Sequence, residues 1–540
     1  MSFISEKNKD HFFYSLLFII TVFAFWWRLI NLNRLSFWSD DAFTYLAVEG
    51  ILKHFYPLLV SGLIYFKQLL YSYLVSFSAL IFGLNEFGLR FPSVLAGTLV
   101  IPLTYLVARQ FFNNRPVALV AAFFMAFNYW SYEFSREARY YTTLQLFYLF
   151  SIYLFFRGYI ADDRKFRLWT MVSFIASIFV FRLSFFLILN FFYLGIIKGI
   201  KKLFKKEVWL SFLTIVVVFG GALLFEVFFW QVGRHIKHTS SGISAIFAEL
   251  LAPNANFFRQ FEWLFKRMYL VFLVGIAGYL WQIVKNFPRW RWPENWSLLL
   301  FNFCVPLFLM SFGNAHYQPR YVFFLLPLFA ILYARAAYWL AELATSIFPF
   351  LFPKMISKTS SLTMVAFLLI IFVTIRNSNP QKLPALGNRF DGTPLDSRFA
   401  PSTANRWHHD FKSGHLFVKN LWQPNDLVIS LYAAYAYIYT GRVNFWLWTM
   451  SEENWPAFYQ KNGAVFDTYT GVPVIRSLNE LKKILAGRKI SRIWLVSTYS
   501  LDEPGHISAE IKKFLKEENK DKIVFRNKSG DSWVWLWLPL

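Results

Sequence analysis

The sequence predicts a polytopic α-helical membrane protein with an external α/β domain at its C-terminal end, on three observations. Charged residues make up 16% of the 540-residue chain and hydrophobic residues 56%, whereas a soluble globular chain carries about 25% charged residues. Apolar runs of about 20 residues, the length a spanning helix needs, follow one another up to residue 376, parted by short basic clusters. Past Asn377 the pattern changes to alternating strand-like and helical pieces. The net charge of +24 does not point to nucleic acid, because the basic residues sit at the ends of apolar runs, as cytoplasmic loops require. The single cysteine, Cys304, lies inside an apolar run and cannot form an intrachain disulfide.

The first apolar run, His11 to Leu32, has no small-residue cleavage site behind it and reads as a signal anchor. Further spans are expected to begin near Phe91, Pro116, Tyr140, Leu168, Ser184, Val208, Arg267, Trp296, Arg320 and Leu362. Leu168 to Ile197 is short and fits either two short spans or one kinked span. Ser61 to Gly83 is long enough to cross, and loop charge places it. If it stays outside, Lys7, Lys9, Arg109, Arg115, the run Arg157 to Arg167, the cluster Lys198 to Lys206, Lys285 to Arg291, Lys354 and Lys358 all share one side. If it crosses, five lysines between Lys198 and Lys206 face out, against the positive-inside rule. The expectation is therefore about 11 spans, with the N-terminus cytoplasmic, Ser61 to Gly83 along the interface, and residues 33–90 as one long external loop.

The membrane part is expected over residues 1–376 and the external α/β domain over 377–540. In the latter, Leu427 to Ser430 and Arg492 to Ser497 read as strands, Gly471 to Ile475 follows a turn, and Trp533 to Leu538 is a last strand. Leu478 to Leu485 and Ser508 to Glu518 read as helices.

Two acids adjoin just after the first run, in Trp38-Ser39-Asp40-Asp41. Neighbouring carboxylates raise one another's pKa and invite a cation or an acceptor hydroxyl between them. The alternative is a helix cap, with Ser39 or Asp40 capping a helix that starts at Ala42. The second external loop carries Glu133, Arg136, Glu137 and Arg139 ahead of Tyr140 and Tyr141. These form either a charged rim or an anion site, with Arg136 or Arg139 meeting the anion and Glu137 orienting it. Arg90, Arg182 and Arg320 stand at further external helix ends, Arg320 after His316-Tyr317-Gln318-Pro319 and before Tyr321. Singly, each is an interfacial anchor; together they fit a lipid phosphate. His235 and His238, beside Arg234 and Lys237, are a weak metal signal. The chain has no Walker loop, dinucleotide fingerprint, Gly-x-Ser-x-Gly or Cys-x-x-Cys motif. An external site without access to cytoplasmic nucleotides must draw on lipid-linked donors.

The pattern resembles the GT-C superfamily of membrane glycosyltransferases, and most nearly the bacterial relatives of protein O-mannosyltransferases and the aminoarabinose lipid A transferase. Four features in order carry the resemblance. They are Asp40-Asp41, the run Gly83 to Ser93 through Glu86 and Arg90, the run Ser135 to Tyr140, and Arg320-Tyr321 followed by Leu326-Pro327. The resemblance implies Asp40 as general base, with Asp41 as the acid beside it and Glu137 as the acid of the second loop. It implies Arg90, Arg136, Arg139, Tyr140, Arg182, His316, Arg320 and Tyr321 around the substrate. It also implies a polyprenyl-phosphate sugar donor, membrane lipids and an external lipid, glycan or protein acceptor as partners, and single displacement with inversion at the anomeric carbon. A divalent cation is the one candidate cofactor, held by Asp40, Asp41 and Glu137 if at all. Relatives with an aspartate near Tyr140 or Tyr141 differ from this chain, whose acid is Glu137, and the Trp-Trp-Asp signature of oligosaccharyltransferases is absent.

The expected function is transfer of one hexosyl or pentosyl group at the outer face of the cytoplasmic membrane. The alternatives are a transporter or flippase of lipid-linked intermediates, and a non-catalytic assembly protein. Glu226 is the one acid well inside an expected span, and a transporter favours more.

Overall fold

A computed structural model describes residues 6–232, 271–278, 294–313, 319–351, 359–376, 410–449, 458–487, 492–497, 507–527 and 532–539. His316 and the patch Arg234 to His238 lie outside the described residues, as does the side chain of Glu226. The chain packs as two compact units. One comprises Met1–Ile30, Pro92–Leu223 and Ser241–Pro384, the other Asn31–Phe91, Leu224–Ser240 and Ala385–Leu540.

In chain order the helices are α1 (Glu6–Leu29), α2 (Ser39–His54), α3 (Leu69–Phe82), α4 (Glu86–Phe112), α5 (Arg115–Phe127), α6 (Tyr129–Ser135), α7 (Tyr141–Phe155) and α8 (Arg164–Val180). They continue with α9 (Leu189–Lys198), α10 (Ile200–Leu203), α11 (Lys206–Val232), α12 (Glu294–Gly313), α13 (Leu326–Leu351) and α14 (Thr359–Arg376). The remaining ones are α15 (Ser413–Leu421), a single turn at Ala433–Tyr435, α16 (Leu478–Ala486) and α17 (Ala509–Lys513).

The first unit is helical, with α13 at its centre. Leu328, Phe329, Ala330, Ile331, Tyr333 and Ala334 are all buried, so the first part of this helix is covered on every side. It packs against α5, α12 and α14. The facing α5 buries Ala118, Ala121 and Ala122, and small side chains let helix backbones approach where apolar burial alone gives no drive. The opposite case is α1 and α11. Phe12, Phe18 and Ile19 on α1, and Val217 and Leu224 on α11, are exposed, a surface that lipid covers and water does not. Five helices among the described residues are long and apolar enough to cross a membrane: Asp10–Leu29, Glu86–Phe112, Tyr141–Ile160, Lys206–Phe225 and Phe323–Ser346. Between α8 and α9 the chain breaks at Phe181, which is extended (φ −167°), before a 3-10 turn at Arg182–Ile188. The short pair from Leu168 to Ile197 is thus two helices.

In the second unit α3 has 14 residues, about 21 Å at the helical rise and short of a hydrocarbon core of about 30 Å. Tyr71, Ser72, Val75, Ser76 and Ala79 face inward, while Tyr73, Leu74, Phe77, Leu80 and Ile81 are exposed on the other face.

The same unit contains a six-stranded sheet. Its strands are β1 (Leu427–Ser430), β2 (Phe445–Leu447), β5 (Val474–Ile475), β6 (Ile493–Ser497), β7 (Ile523–Arg526) and β8 (Trp533–Trp537). The hairpin β3 (Phe458–Lys461) and β4 (Ala464–Asp467) stands apart as a two-stranded sheet. The six-stranded order is β5-β2-β1-β6-β8-β7, with the first four strands parallel and β8 antiparallel to both β6 and β7. Residues alternate between faces along each strand. Ile429, Leu495 and Trp535 pack with Leu481 of α16 and Ile511 of α17. Val428, Trp494, Val496 and Val534 pack with Val418 of α15. Both faces are covered, as a mostly parallel sheet requires. The strands expected at Leu427 to Ser430, Arg492 to Ser497 and Trp533 to Leu538 are β1, β6 and β8.

Candidate active site

The acidic pair stands on the first turn of α2. The helix begins at Ser39 with Trp38 as its N-cap, three residues before the expected start at Ala42. Asp41 Oδ2 accepts the Trp38 backbone N–H at 3.3 Å, so Asp41 makes the reciprocal capping contact. Asp41 is 1% exposed and lies 3.5 Å from Arg90 Nη2. Asp40 is half-buried, and its backbone carbonyl accepts the Thr44 hydroxyl at 3.5 Å. The two carboxylates therefore have different surroundings, one paired and enclosed, the other with partial access.

Arg90 is enclosed too, at 3% exposure. Nη1 donates to the carbonyls of Leu32 and Leu35, each at 2.8 Å, and Nη2 to Ser36 at 2.7 Å. Its guanidinium also lies over the Phe37 ring, 5.5 Å from the centroid. One turn of α4 thus ties down the backbone that enters α2. Further along the first loop, Gln68 Nε2 donates to Thr44 Oγ1 at 3.0 Å, and the Phe43 ring stacks on Tyr469 at 3.7 Å.

The remaining candidates belong to the first unit. Arg136 is buried, and Nη1 donates to the carbonyls of Arg28 at 2.8 Å and Ile30 at 2.6 Å. It closes the C-terminal end of α1, where unsatisfied carbonyls attract a cation. Glu137 is buried beside it in the turn after α6. Arg139 is half-buried, its guanidinium 5.3 Å from the Tyr140 ring and 6.0 Å from Tyr141. Tyr140 stacks on Phe181 at 3.9 Å, and the exposed Arg182 lies 6.0 Å from that same Phe181 ring. Arg320 and Tyr321, in the 3-10 turn Pro319–Tyr321, act electrostatically on the Tyr140 hydroxyl, as does Arg139. The structure thus brings Arg139, Tyr140 and Arg182 to one aromatic stack, with Arg320 over Tyr321 within electrostatic reach of it and Arg136 turned to a helix end. Three arginines around stacked aromatic faces suit an anion bearing an apolar tail.

Sequence reasoning passed over the residues that hold this loop. Ser93 Oγ donates to the Arg139 carbonyl at 2.9 Å, and Thr142 Oγ1 donates back to the Ser93 carbonyl at 2.9 Å. A Cβ on Gly97 would lie 2.2 Å from Ser135 Oγ, so the close approach of α4 and α6 requires glycine. Arg28, fully buried, donates to Ala24 and Met125 carbonyls at 3.1 Å and to Ser131 and Ser135 hydroxyls at 3.2 Å. An arginine inside an apolar run was the available signal for that hub. Among the described residues, no three His, Cys, Asp or Glu side chains gather as a metal site.

Residues 67–225 match the family model described as dolichyl-phosphate-mannose-protein mannosyltransferase. No curated protein sequence matches the chain. Among solved structures, ArnT from Cupriavidus metallidurans bound to undecaprenyl phosphate is similar with a TM-score of 0.58 and 12% identity, over 98% of both chains. The archaeal oligosaccharyltransferase AglB from Archaeoglobus fulgidus, in complex with an inhibitory peptide and a dolichol-phosphate, gives 0.53 and 14% identity over 81% of this chain and 64% of its own. An Archaeoglobus fulgidus oligosaccharyltransferase in the apo form gives 0.56 and 14% identity over 92% and 70%. The chain therefore shares the fold of these ArnT and AglB structures, and residues 67–225 match the family model described as dolichyl-phosphate-mannose-protein mannosyltransferase.

Proposed function

We propose that this chain is a membrane glycosyltransferase that moves a single sugar from a polyprenyl-phosphate donor to an acceptor hydroxyl outside the cytoplasmic membrane. The observation that carries the reading is the fold shared over 98% of the chain with a protein solved bound to undecaprenyl phosphate. A second protein of this fold was solved with a dolichol-phosphate. The basic aromatic cluster of Arg139, Tyr140, Arg182 and Arg320 supports it with chemistry suited to a lipid phosphate. The topology proposed with it has eleven spans, a cytoplasmic N-terminus and α3 along the outer interface. The length of α3 supports that placement.

In the proposed step Asp40 takes the proton of the acceptor hydroxyl, and the oxygen attacks the anomeric carbon. The bond from that carbon to the phosphate oxygen breaks, and polyprenyl phosphate leaves with the electron pair. Arg139, Arg182 and Arg320 bind the phosphate and its developing charge. A single displacement inverts the anomeric carbon. Asp41 and Arg90 are assigned to holding the first turn of α2, because both are enclosed and paired.

Mass spectrometry of lipid extracts and surface glycans tests the reading, in cells with the wild-type chain, no chain, and Asp40→Asn. The expected result is that Asp40→Asn matches the deletion, with a polyprenyl-phosphate sugar accumulating and a surface product one sugar short. The mass difference names the sugar class. An Asp40→Asn strain that behaves as wild type, beside a deletion with a phenotype, overturns it.

A further inference from the structure

Glu86 opens α4, one turn before Arg90, with a side chain 8% exposed. A buried carboxylate needs donors. Its Oε1 receives two from far along the chain: Lys412 Nζ at 2.8 Å and the Tyr439 hydroxyl at 3.1 Å. The Tyr439 oxygen in turn accepts the Phe37 backbone N–H at 2.8 Å, and the Phe37 and Tyr439 rings stack at 6.0 Å. The Lys412 ammonium lies 5.7 Å from the Tyr439 ring, so lysine, carboxylate and phenol form one closed group. Burial first, and the Glu86 carboxylate second, hold the Tyr439 pKa well above its ordinary value. The phenol therefore keeps its proton and remains a donor to Glu86.

This group is anchored in the sheet domain. Lys412 directly precedes α15, and Asp410 fixes the approach by accepting the Lys412 and Ser413 N–H groups at 3.1 and 2.9 Å and Asn527 Nδ2 at 3.1 Å. Tyr439 lies in the π-helical turn Ala436–Thr440 that follows β1. Phe411 adds a backbone N–H to Ser36 Oγ at 3.4 Å and an edge-on ring contact to Trp38 at 6.2 Å. Ser36, Phe37 and Trp38, the three residues before Asp40's helix, are thus gripped twice. Arg90 takes carbonyls of the segment, while Phe411 and Tyr439 take its hydroxyl, an N–H and its rings.

We propose that Tyr439 and Lys412 are positioning residues for the reaction at Asp40, acting through the Glu86 carboxylate and the Phe37 backbone, and that the C-terminal domain takes part in transfer by this clamp. The inference rests on the glycosyltransferase reading above and gives that domain a share in it. The hydroxyl of Tyr439 is small against its ring, so Tyr439→Phe keeps the packing and removes both hydrogen bonds.

The experiment uses full-length protein, with three readouts. One is transfer per folded molecule, from the mass of the surface product. Another is binding of undecaprenyl phosphate to purified protein, and the third is thermal melting in detergent. Tyr439→Phe and Lys412→Met are expected to lower transfer at least ten-fold while undecaprenyl phosphate binding stays as in wild type. Lys412→Arg, which keeps the charge, is expected to restore at least half. Transfer as in wild type, a loss that only follows the amount of folded protein, or an equal loss of lipid-phosphate binding each overturns the clamp. Asp40→Asn in the same series keeps the two readings apart. If it transfers normally, the glycosyltransferase assignment of Asp40 fails. If it is inactive while Tyr439→Phe and Lys412→Met are not, only the clamp fails.

Discussion

Arg90 Nη2 lies 3.5 Å from Asp41 Oδ2, and neither side chain is more than 4% exposed. Adjacent acids in a sequence invite equal treatment, yet this pairing separates Asp41 from Asp40. A carboxylate that accepts its own helix's N-cap N–H and faces a buried arginine has little freedom to move. That suits holding a turn.

The pair predicts an asymmetry in stability. Arg90→Met takes this cation from buried Asp41 and strips donors from the carbonyls of Leu32, Leu35 and Ser36. Removing one partner of a buried ion pair costs about 3–5 kcal/mol. Asp41→Asn keeps an oxygen for the Trp38 N–H and leaves Arg90 its carbonyls, so its cost is nearer about 1–2 kcal/mol. Thermal melting in detergent should rank wild type, Asp41→Asn and Arg90→Met in that order, and the reverse order of the two variants would falsify the clamp role of Arg90.

Arg136 and Arg139, three residues apart, should fail in different ways. Arg136 donates to the last carbonyls of α1, and hydrogen bonds from a charged donor are worth about 1.5–3 kcal/mol. Arg136→Ala is expected to lower the melting temperature and leave undecaprenyl phosphate binding unchanged in the folded fraction. Arg139 lies over Tyr140 in the basic aromatic cluster. Arg139→Ala is expected to melt near wild type and bind undecaprenyl phosphate about ten-fold more weakly, one charge-assisted contact of about 1.4 kcal/mol. Weakened binding in Arg136→Ala alone would reverse the two roles.

Much of this arrangement could be read before the structure, and the reasons are local. Leu427 to Ser430 and Arg492 to Ser497 announce themselves because strands buried on both faces are continuous apolar runs. β2 and β7 do not, since Phe445–Leu447 and Ile523–Arg526 are short and partly exposed. The hairpin β3–β4 was within reach. Asn462 and Gly463 both have positive φ, at 51° and 77°, and Asn-Gly is the strongest short hairpin signal. The cap on α2 was not, because Trp38 is not a residue type that marks an N-cap. Lys412, Glu86 and Tyr439 carry no motif either. Their meeting depends on how the sheet domain packs on the first loop, a long-range fact that spacing along the chain does not encode.

Gly97 tests whether the second loop depends on the approach of α4 to α6. A Cβ there would stand 2.2 Å from Ser135 Oγ, 3.0 Å from Ser135 Cβ and 3.2 Å from Thr142 Cγ2. Ser135 also accepts from buried Arg28, so it cannot simply turn away. Gly97→Ala is expected to cost about 1–3 kcal/mol by overpacking, and Gly97→Val more. Because Ser93 holds the Arg139 carbonyl and Thr142 holds Ser93 in turn, undecaprenyl phosphate binding should weaken in step. A Gly97→Val protein with wild-type melting and binding would show that the helices can part without disturbing the loop.

Two buried groups of the sheet-containing unit make opposite demands on pH. Burial raises Asp467 from 3.8 to about 6, against hydrogen bonds from Thr470 that lower it. Its folded form prefers the protonated acid, so its contribution to stability is complete below pH 3.8 and lost as pH rises through about 6. Burial lowers His415 from 6.5 to about 4, its ring being held between the Phe411 carbonyl at 2.8 Å and Ser430 Oγ at 3.1 Å. The folded form prefers the neutral ring, so this contribution is complete above pH 6.5 and lost as pH falls through about 4. Each is worth about 3 kcal/mol over its window, and in the wild-type chain the two slopes oppose one another. Asp467→Asn removes the Asp467 slope, so stability relative to wild type should fall as pH drops from about 6 to 3.8. His415→Gln removes the His415 slope, and the difference should run the other way, stability relative to wild type falling as pH rises from about 4 to 6.5. Melting curves of the full-length protein across this range read the slopes directly, and the absolute cost of either substitution does not enter. Parallel curves for all three proteins would mean that neither group titrates with the shift its burial imposes.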